Sequence, residues 1–129
     1  MLAMNPVLLI GAILGLLSVV VGASAEHLLQ QRVDEEVWRW VMTAVRYHQF
    51  GALVVTALGL ALAARARPAR RLTLAAGFLI AGTVLFSFSI YAAAVTGVHG
   101  LTYVTPLGGV TLMFGWLLLI WAAVGAETD

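Results

Sequence analysis

Four long apolar stretches divide the chain, and short polar segments separate them. An apolar run of about 20 residues is long enough to cross the ~30 Å hydrocarbon core of a bilayer as an α-helix. The pattern predicts spans at about residues 6–25, 44–64, 72–95 and 106–125. Short links favour antiparallel neighbours. We therefore expect an all-α integral membrane four-helix bundle that forms one transmembrane domain over residues 1–129.

The segment before the second span has a different periodicity. Asp34 is a favourable N-cap, and Glu35 and Glu36 follow in the first turn, where the helix dipole favours negative charge. Beyond them, apolar residues recur on one face and arginines on another. With two tryptophans at headgroup level, this pattern is typical of an amphipathic helix at the membrane surface. We predict such an interfacial helix over about residues 34–43, leading into the second span.

The composition indicates lipid as the solvent. Hydrophobic residues make up 62% of the chain and charged residues 10%, against about 45–50% and about 25% in soluble domains. The net charge of +1 gives no reason to expect a nucleic-acid partner. Without cysteine there are no disulfides and no thiolate catalysis. The first six residues contain no Lys or Arg, so we expect no cleaved signal peptide.

The link between the second and third spans is strongly basic. It contains Arg65, Arg67, Arg70 and Arg71. The positive-inside rule places such a link in the cytoplasm. Both termini are then cytoplasmic, and the segments 26–48 and 96–105 face outward. Arg32 and Arg39 on the outer side oppose this orientation.

Polar side chains at the outer side are the candidates for chemistry, because ionisable residues in membrane segments usually pair or carry function. Glu26 and His27 end the first span, while Arg46 and His48 begin the second. We predict that these four form a structural polar cluster at the outer edge of the bundle. A metal bound by His27, His48 and His99 is the less favoured alternative, since no two histidines stand at ligand spacing on one helix.

Small residues recur on two of the spans. They are Gly11, Gly15, Ser18 and Gly22 on the first span, and Gly108, Gly109 and Gly115 on the fourth. Small residues let a neighbouring helix backbone approach closely. They fit ordinary packing inside the bundle, which we favour, or association between chains.

Hydroxyl groups on the third span are expected to bond to neighbouring helices. Ser87, Ser89 and Tyr91 have no base at a fixed spacing, so a serine nucleophile is not indicated. Thr105 and Pro106 are predicted as the N-cap and first residue of the fourth span.

Several short motifs occur in a fixed order along the chain. They are Gly22-Ala23-x-x-x-His27, Trp40-x-x-Thr43-Ala44-Val45-x-Tyr47, Phe86-Ser87-x-Ser89-x-Tyr91, Thr96-Gly97, Thr105-Pro106-Leu107-Gly108-Gly109 and Gly115-Trp116. The ordered set covers nearly the whole chain and resembles the domain-of-unknown-function 423 family. The resemblance implies a four-span protein of the bacterial inner membrane, and it implies no reaction.

Three positions depart from the pattern of that family. Glu26 is an added charge, because the family usually reads Gly-Ala-Phe-Gly-Ala-His at the first motif. The family usually has His where this chain has Gly51, and here the imidazole lies one turn earlier, at His48. Phe88 replaces a usual Gly.

Two classes of function remain open. The favoured one is a non-catalytic membrane bundle that self-associates or binds another membrane protein, with no catalytic residue and no cofactor. The alternative is an oligomeric transporter, or a protein that binds protons, metals or lipids through the outer Glu/His/Arg cluster. Four spans are few for a transport path in one chain, so a transporter requires an oligomer.

Overall fold

The computed structural model describes residues 3–125, and its regular elements are helices. Helix α1 (Pro6–Ser24) continues through a π-helical turn (Ala25–Leu29), and α2 (Glu35–Ala63) follows a short link. Helix α3 (Arg70–Thr83), a second π-helical turn (Val84–Phe88) and α4 (Ser89–Thr96) are continuous. A 3₁₀ turn (His99–Val104) leads directly into α5 (Thr105–Val124). No strand occurs between residues 3 and 125.

These elements build four helices long and apolar enough to cross a membrane. They are Pro6–Leu29, Glu35–Ala63, Arg70–Thr96 and His99–Val124. Large apolar side chains cover the outside of the bundle; Leu16 and Val19, for example, are 66% and 67% exposed. Such a surface requires lipid around it. The prediction of an all-α, four-span membrane fold is confirmed.

A polar residue that the sequence analysis did not use begins α1 and joins it to α2. The side-chain oxygen of Asn5 accepts a hydrogen bond from the Leu8 amide at 3.0 Å. Its side-chain nitrogen donates to the carbonyl of Gly59 at 2.8 Å. One side chain thus caps the start of α1 and bonds the last turns of α2, so the two helices are antiparallel neighbours.

The segment 34–43 forms the start of a longer helix, and its position at the membrane surface stays a prediction. Asp34 caps it as predicted, accepting from the Val37 amide at 2.8 Å, but the helix then runs unbroken from Glu35 to Ala63. Val37 and Val41 are buried against the end of α1 and against α4. This packing joins the first turns of α2 to the rest of the bundle. No Gly or Pro interrupts the helix in those turns.

The buried residues form two apolar clusters, one toward each end of the bundle. The outer cluster contains Ala25, Val37, Val41, Ala44, Val45 and Ile90. The inner cluster contains Val55, Leu58, Ala76, Leu79 and Leu112. Three buried polar residues lie between the two clusters. They are His48 on α2, Thr83 at the end of α3 and Ser87 in the second π-helical turn.

The fourth span begins differently from the prediction. Thr105 is the first residue of α5, and the residue before it, Val104, provides no side-chain cap. The hydroxyl of Thr105 instead lies 2.6 Å from the hydroxyl of Ser89 on α4. The preceding 3₁₀ turn already supplies helical backbone, so no separate cap residue is needed.

Candidate functional site

A layer of polar side chains crosses the middle of the bundle. Ser87 lies in the second π-helical turn, is fully buried, and donates to the carbonyl of Ala44 on α2 at 2.7 Å. A π-helical turn inserts an extra residue into a helix and often marks a functional position. Here it places the hydroxyl against the backbone of the neighbouring helix, as the sequence analysis expected for this residue.

His48 and Tyr91 form the centre of this layer. The imidazole of His48 is fully buried, and its Nδ1 lies 2.9 Å from the hydroxyl of Tyr91 on α4. The ring of Phe88 packs against both side chains, with ring centroids 5.3 Å and 5.5 Å away. The main chain of Leu14 on α1 also lies against the imidazole. His48 therefore contacts two neighbouring spans.

Two polar atoms in this layer have no hydrogen-bond partner within the described residues. They are Nε2 of His48 and Oγ1 of Thr83. Thr83 packs on the backbone of Gly51, where an added Cβ would collide with the threonine side chain. A side chain at position 51 and the present position of Thr83 are therefore mutually exclusive.

Two charged members of the predicted cluster, Glu26 and Arg46, lie outside the polar layer around His48. Together with Gln49 they line a groove of about 490 Å³ on the lipid-facing side of α1 and α2. All three side chains are exposed. Across the described part of the chain, no ion pair of 4.0 Å or less joins Glu26 to Arg46. We call this surface the outer groove; its remaining lining residues are Ser18, Val19, Gly22, Ala23, Met42 and Val45.

The outer groove reaches into the hydrocarbon region. Arg46 precedes Ala63, the last residue of α2, by seventeen residues, and Gln49 precedes it by fourteen. At 1.5 Å per residue they lie about 26 Å and about 21 Å from that end, inside a core of ~30 Å. Both polar groups therefore face lipid without a hydrogen-bond or ion-pair partner inside the described chain.

The remaining histidines lie apart from His48. His27 is exposed in the first π-helical turn, and His99 packs edge-on against Trp40 with ring centroids 5.5 Å apart. Within residues 3–125, no three His or acidic residues converge as a metal site would require. The outer groove is thus lined by Glu26 and Arg46, and His27 and His48 are not among its lining residues.

The small residues predicted for helix packing have unequal roles. Gly11 lies against the backbone of Thr56 on α2, and Gly108 lies against the backbone of Phe86. Gly115 contacts Leu79, whereas Gly109 only touches the ring of Phe86. Space beside Gly15 is open. A Cβ added at Gly22 would lie 3.8 Å from the side chain of Val45, an ordinary van der Waals contact. Ser18 is buried and bonds to the carbonyl of Gly15 at 2.7 Å.

The basic link is anchored at the opposite end of the bundle. The guanidinium of Arg71 lies over the ring of Trp121, 4.1 Å from its centroid, and donates to the Trp121 carbonyl at 3.1 Å. Stacking on tryptophan is a favourable site for an arginine. The other arginines of the link, at positions 65, 67 and 70, are exposed.

Comparison with known proteins agrees with this architecture. A family model described as "Protein of unknown function (DUF423)" matches residues 21–109. The chain belongs to this family. The matched segment includes His48, Tyr91 and both charges of the outer groove, and the family description assigns them no activity.

Named relatives extend the match over nearly the whole chain. The UPF0382 inner membrane protein YgdD of Escherichia coli K12 is 35% identical over 91% of this chain and 88% of its own length. The UPF0382 membrane protein YwdK of Bacillus subtilis is 35% identical over 94% of this chain and 98% of its own length. A UPF0382 membrane protein of Haemophilus influenzae is 30% identical over 96% of this chain and 98% of its own length. No solved structure matches the chain.

Proposed function

We propose that this chain is a non-catalytic inner-membrane protein that associates with a second copy of itself through the outer groove. The observation that carries the proposal is the exposure of Glu26 and Arg46 on one lipid-facing surface without an ion pair between them. Charged groups at membrane depth are costly unless they pair or reach water. A partner that supplies the opposite charge removes this cost.

The groove is suited to a copy of itself because it carries both signs of charge. In a two-fold interface, residue i of one chain meets residue j of the other, and the reverse contact also forms. Arg46 of one copy then pairs with Glu26 of the second, and this contact is made twice. The guanidinium fork matches a carboxylate in a two-pronged geometry.

The rest of the groove supports close helix approach. Gly22 and Ala23 give α1 a smooth surface there, and small residues allow close backbone contact between membrane helices. Gln49 adds an amide that bonds to its counterpart or to a backbone carbonyl across the interface. Amides bond across helices in this way in other membrane proteins.

The orientation is part of the same proposal. Arg65, Arg67, Arg70 and Arg71 at the end opposite to the outer groove support a cytoplasmic position for that end. The last residues, including Asp129, lie outside the described residues. Fusions of alkaline phosphatase and of a fluorescent protein to Asp129 test the proposal. Fluorescence without phosphatase activity is expected, and the opposite result reverses the orientation.

The association is tested by cross-linking in native membranes. The chain has no cysteine, so each introduced cysteine is the single thiol. Val19→Cys, Ala23→Cys and Gln49→Cys place thiols in the outer groove. Leu107→Cys is the control, because Leu107 is 60% exposed on α5. Like Ala23, it lies seventeen residues, about 25 Å, from the inner end of its helix.

With a short bifunctional thiol reagent, we expect a covalent dimer from at least one groove position and none from Leu107→Cys. Equal cross-linking at Leu107 and at the groove would mean random encounter in the membrane. Monomer alone at all three groove positions would contradict self-association. A product with the mass of a different protein would assign the groove to another membrane partner instead.

A further inference from the structure

A second cleft in the described part of the bundle shares no lining residue with the outer groove. It has a volume of about 570 Å³ and lies between the outer end of α1 and α4. Its walls are mainly apolar; Val20, Leu28, Leu29, Phe88, Tyr91 and Val95 are among the lining residues. Volumes of about 300–1,000 Å³ with apolar walls and few polar groups are typical of sites for small molecules.

Both π-helical turns of the chain contribute to this cleft. The turn Ala25–Leu29 supplies three of the lining residues, and the turn Val84–Phe88 supplies the ring of Phe88. π-helical turns often accompany functional sites because they change the direction of side chains along a helix. The two irregular turns thus meet at this cleft.

The polar groups of the cleft are arranged unevenly. The hydroxyl of Tyr91 is turned inward to His48 at 2.9 Å. Arg32 lies at the outer mouth, in the link before α2, and is the one charged residue among those described as lining the cleft. The neighbouring carboxylate of Asp34 is engaged with the Val37 amide. The cleft therefore has an apolar interior and a cationic mouth.

The depth of the cleft matches one leaflet of a membrane. On α1 its lining runs from Val20 to Leu29, nine residues or about 14 Å along the helix axis. Half of a ~30 Å hydrocarbon core is about 15 Å. A chain that enters beside Arg32 and follows α1 therefore extends from the outer interface into the outer leaflet.

We propose that this cleft binds one acyl chain of an anionic phospholipid, with the lipid phosphate held by Arg32. Charge complementarity selects the occupant, since a cation at the mouth favours a negative headgroup over a zwitterionic one. The planar guanidinium fits a phosphate through paired N–H donors. Basic pockets between membrane helices bind anionic headgroups in the same manner. The second charged surface, the outer groove, carries both signs and offers no comparable preference.

The proposal is tested with phosphatidylglycerol and phosphatidylcholine that carry identical acyl chains. The full-length protein is delipidated in mild detergent, and lipid binding is titrated by native mass spectrometry. We expect one tightly held phosphatidylglycerol per chain, bound more strongly than phosphatidylcholine. Arg32→Gln is expected to weaken phosphatidylglycerol binding at least about five-fold, the equivalent of ~1 kcal/mol for one arginine near an anionic lipid. It is expected to weaken phosphatidylcholine binding less, because the choline cation already offsets the charge of that lipid's phosphate.

Two further variants make the result specific to this cleft. Arg39→Gln removes an exposed arginine on the same side of the membrane that does not line the cleft, and it is expected to retain the preference. Ser24→Phe fills the cleft from an exposed position on its wall, and it is expected to abolish tight binding of both lipids. Melting curves without lipid check that both variants are folded.

Three outcomes would overturn the proposal. Equal binding of the two lipids by the unaltered protein would remove the preference for a net negative headgroup, because both lipids carry a phosphate. An equal loss with Arg32→Gln and Arg39→Gln would mean a general attraction by positive charge. Unchanged binding in folded Ser24→Phe would place the lipid elsewhere on the bundle.

Discussion

Polar residues within one turn of α2 have opposite surroundings. His48 is fully buried and has Tyr91 as a hydrogen-bond partner inside the chain. Arg46 and Gln49, two positions before it and one after it, face the lipid side and line the outer groove. The difference lies in the direction of each side chain around the helix, at 100° per residue. A polar residue at membrane depth with a partner inside the bundle stabilises the fold, whereas one without such a partner is available for the contact between copies that we propose.

The largest expected loss of stability follows substitution of the buried residue, His48. His48→Ala removes an imidazole from the centre of the bundle and leaves the Tyr91 hydroxyl buried without its partner. Cavity formation of this kind costs about 2–5 kcal/mol, and an unsatisfied hydroxyl adds to it. We expect a markedly lower melting temperature in detergent, with cross-linking through the outer groove retained at low temperature.

A double variant shows whether the hydrogen bond itself contributes. If it does, the stability loss of His48→Ala with Tyr91→Phe is smaller than the sum of the two single losses. Strict additivity would mean that the imidazole acts only by filling space. Gln49→Ala, one residue along α2, is the control and is expected to melt like the unaltered protein.

A second prediction compares two glycines in the same membrane region. At Gly51 an added Cβ would collide with Thr83, whereas space beside Gly15 is open. Gly51→Ala is therefore expected to destabilise the bundle by about 1–3 kcal/mol through overpacking. Gly15→Ala is expected to be neutral or to stabilise by up to ~1 kcal/mol, because alanine favours the helix. Equal melting temperatures for the two variants would contradict the packing described for Thr83.

A smaller effect is expected at Ser87. Its hydroxyl donates to the Ala44 carbonyl at 2.7 Å, and side-chain hydrogen bonds between membrane helices average about 0.6 kcal/mol, with a maximum near 1.7. Ser87→Ala is expected to lower stability within that range, less than His48→Ala. Thermal melting of the two variants side by side measures this difference. A stability loss as large as that of His48→Ala would give Ser87 a role beyond this hydrogen bond.

The smallest effect on folding is expected in the outer groove. Arg46→Gln removes a charge that has no ion pair within the described chain, so the melting temperature of the monomer in detergent changes little. The dimer fraction in membranes is expected to fall. A large drop in monomer stability would mean that Arg46 pairs inside its own chain and would weaken the contrast with His48.

The sequence was sufficient for the fold class because hydrophobic length is a strong signal. Runs of about 20 apolar residues identified four spans, and Asp34 was correctly predicted as a cap. Amphipathic periodicity over 34–43 suggested an interfacial helix leading into the second span, and it equally describes the outer turns of a membrane span packed on one side. Periodicity gives the buried face of a helix and not its tilt in the membrane.

The candidate sites were less accessible from sequence, since they depend on contacts between distant residues. The sequence grouped His48 with Glu26, His27 and Arg46 by position along the chain. It contains no signal for the rotation of α2 that directs His48 to Tyr91. The close contact of Gly51 with Thr83 likewise requires the relative position of α2 and α3. Phe88, a departure from the family pattern, packs against the imidazole that is itself displaced by one turn.

The central claim is that Glu26 and Arg46 pair between copies and not within one. Two single charge reversals, Glu26→Arg and Arg46→Glu, test it most directly when carried on differently tagged copies in the same membrane. Each variant alone places like charges across the two-fold interface, so neither forms a dimer with itself. Mixed, they restore two opposite-charge contacts, and we expect co-purification of the two tags only in the mixture. Failure of the mixed pair to associate, while either variant alone still dimerises, would contradict the account.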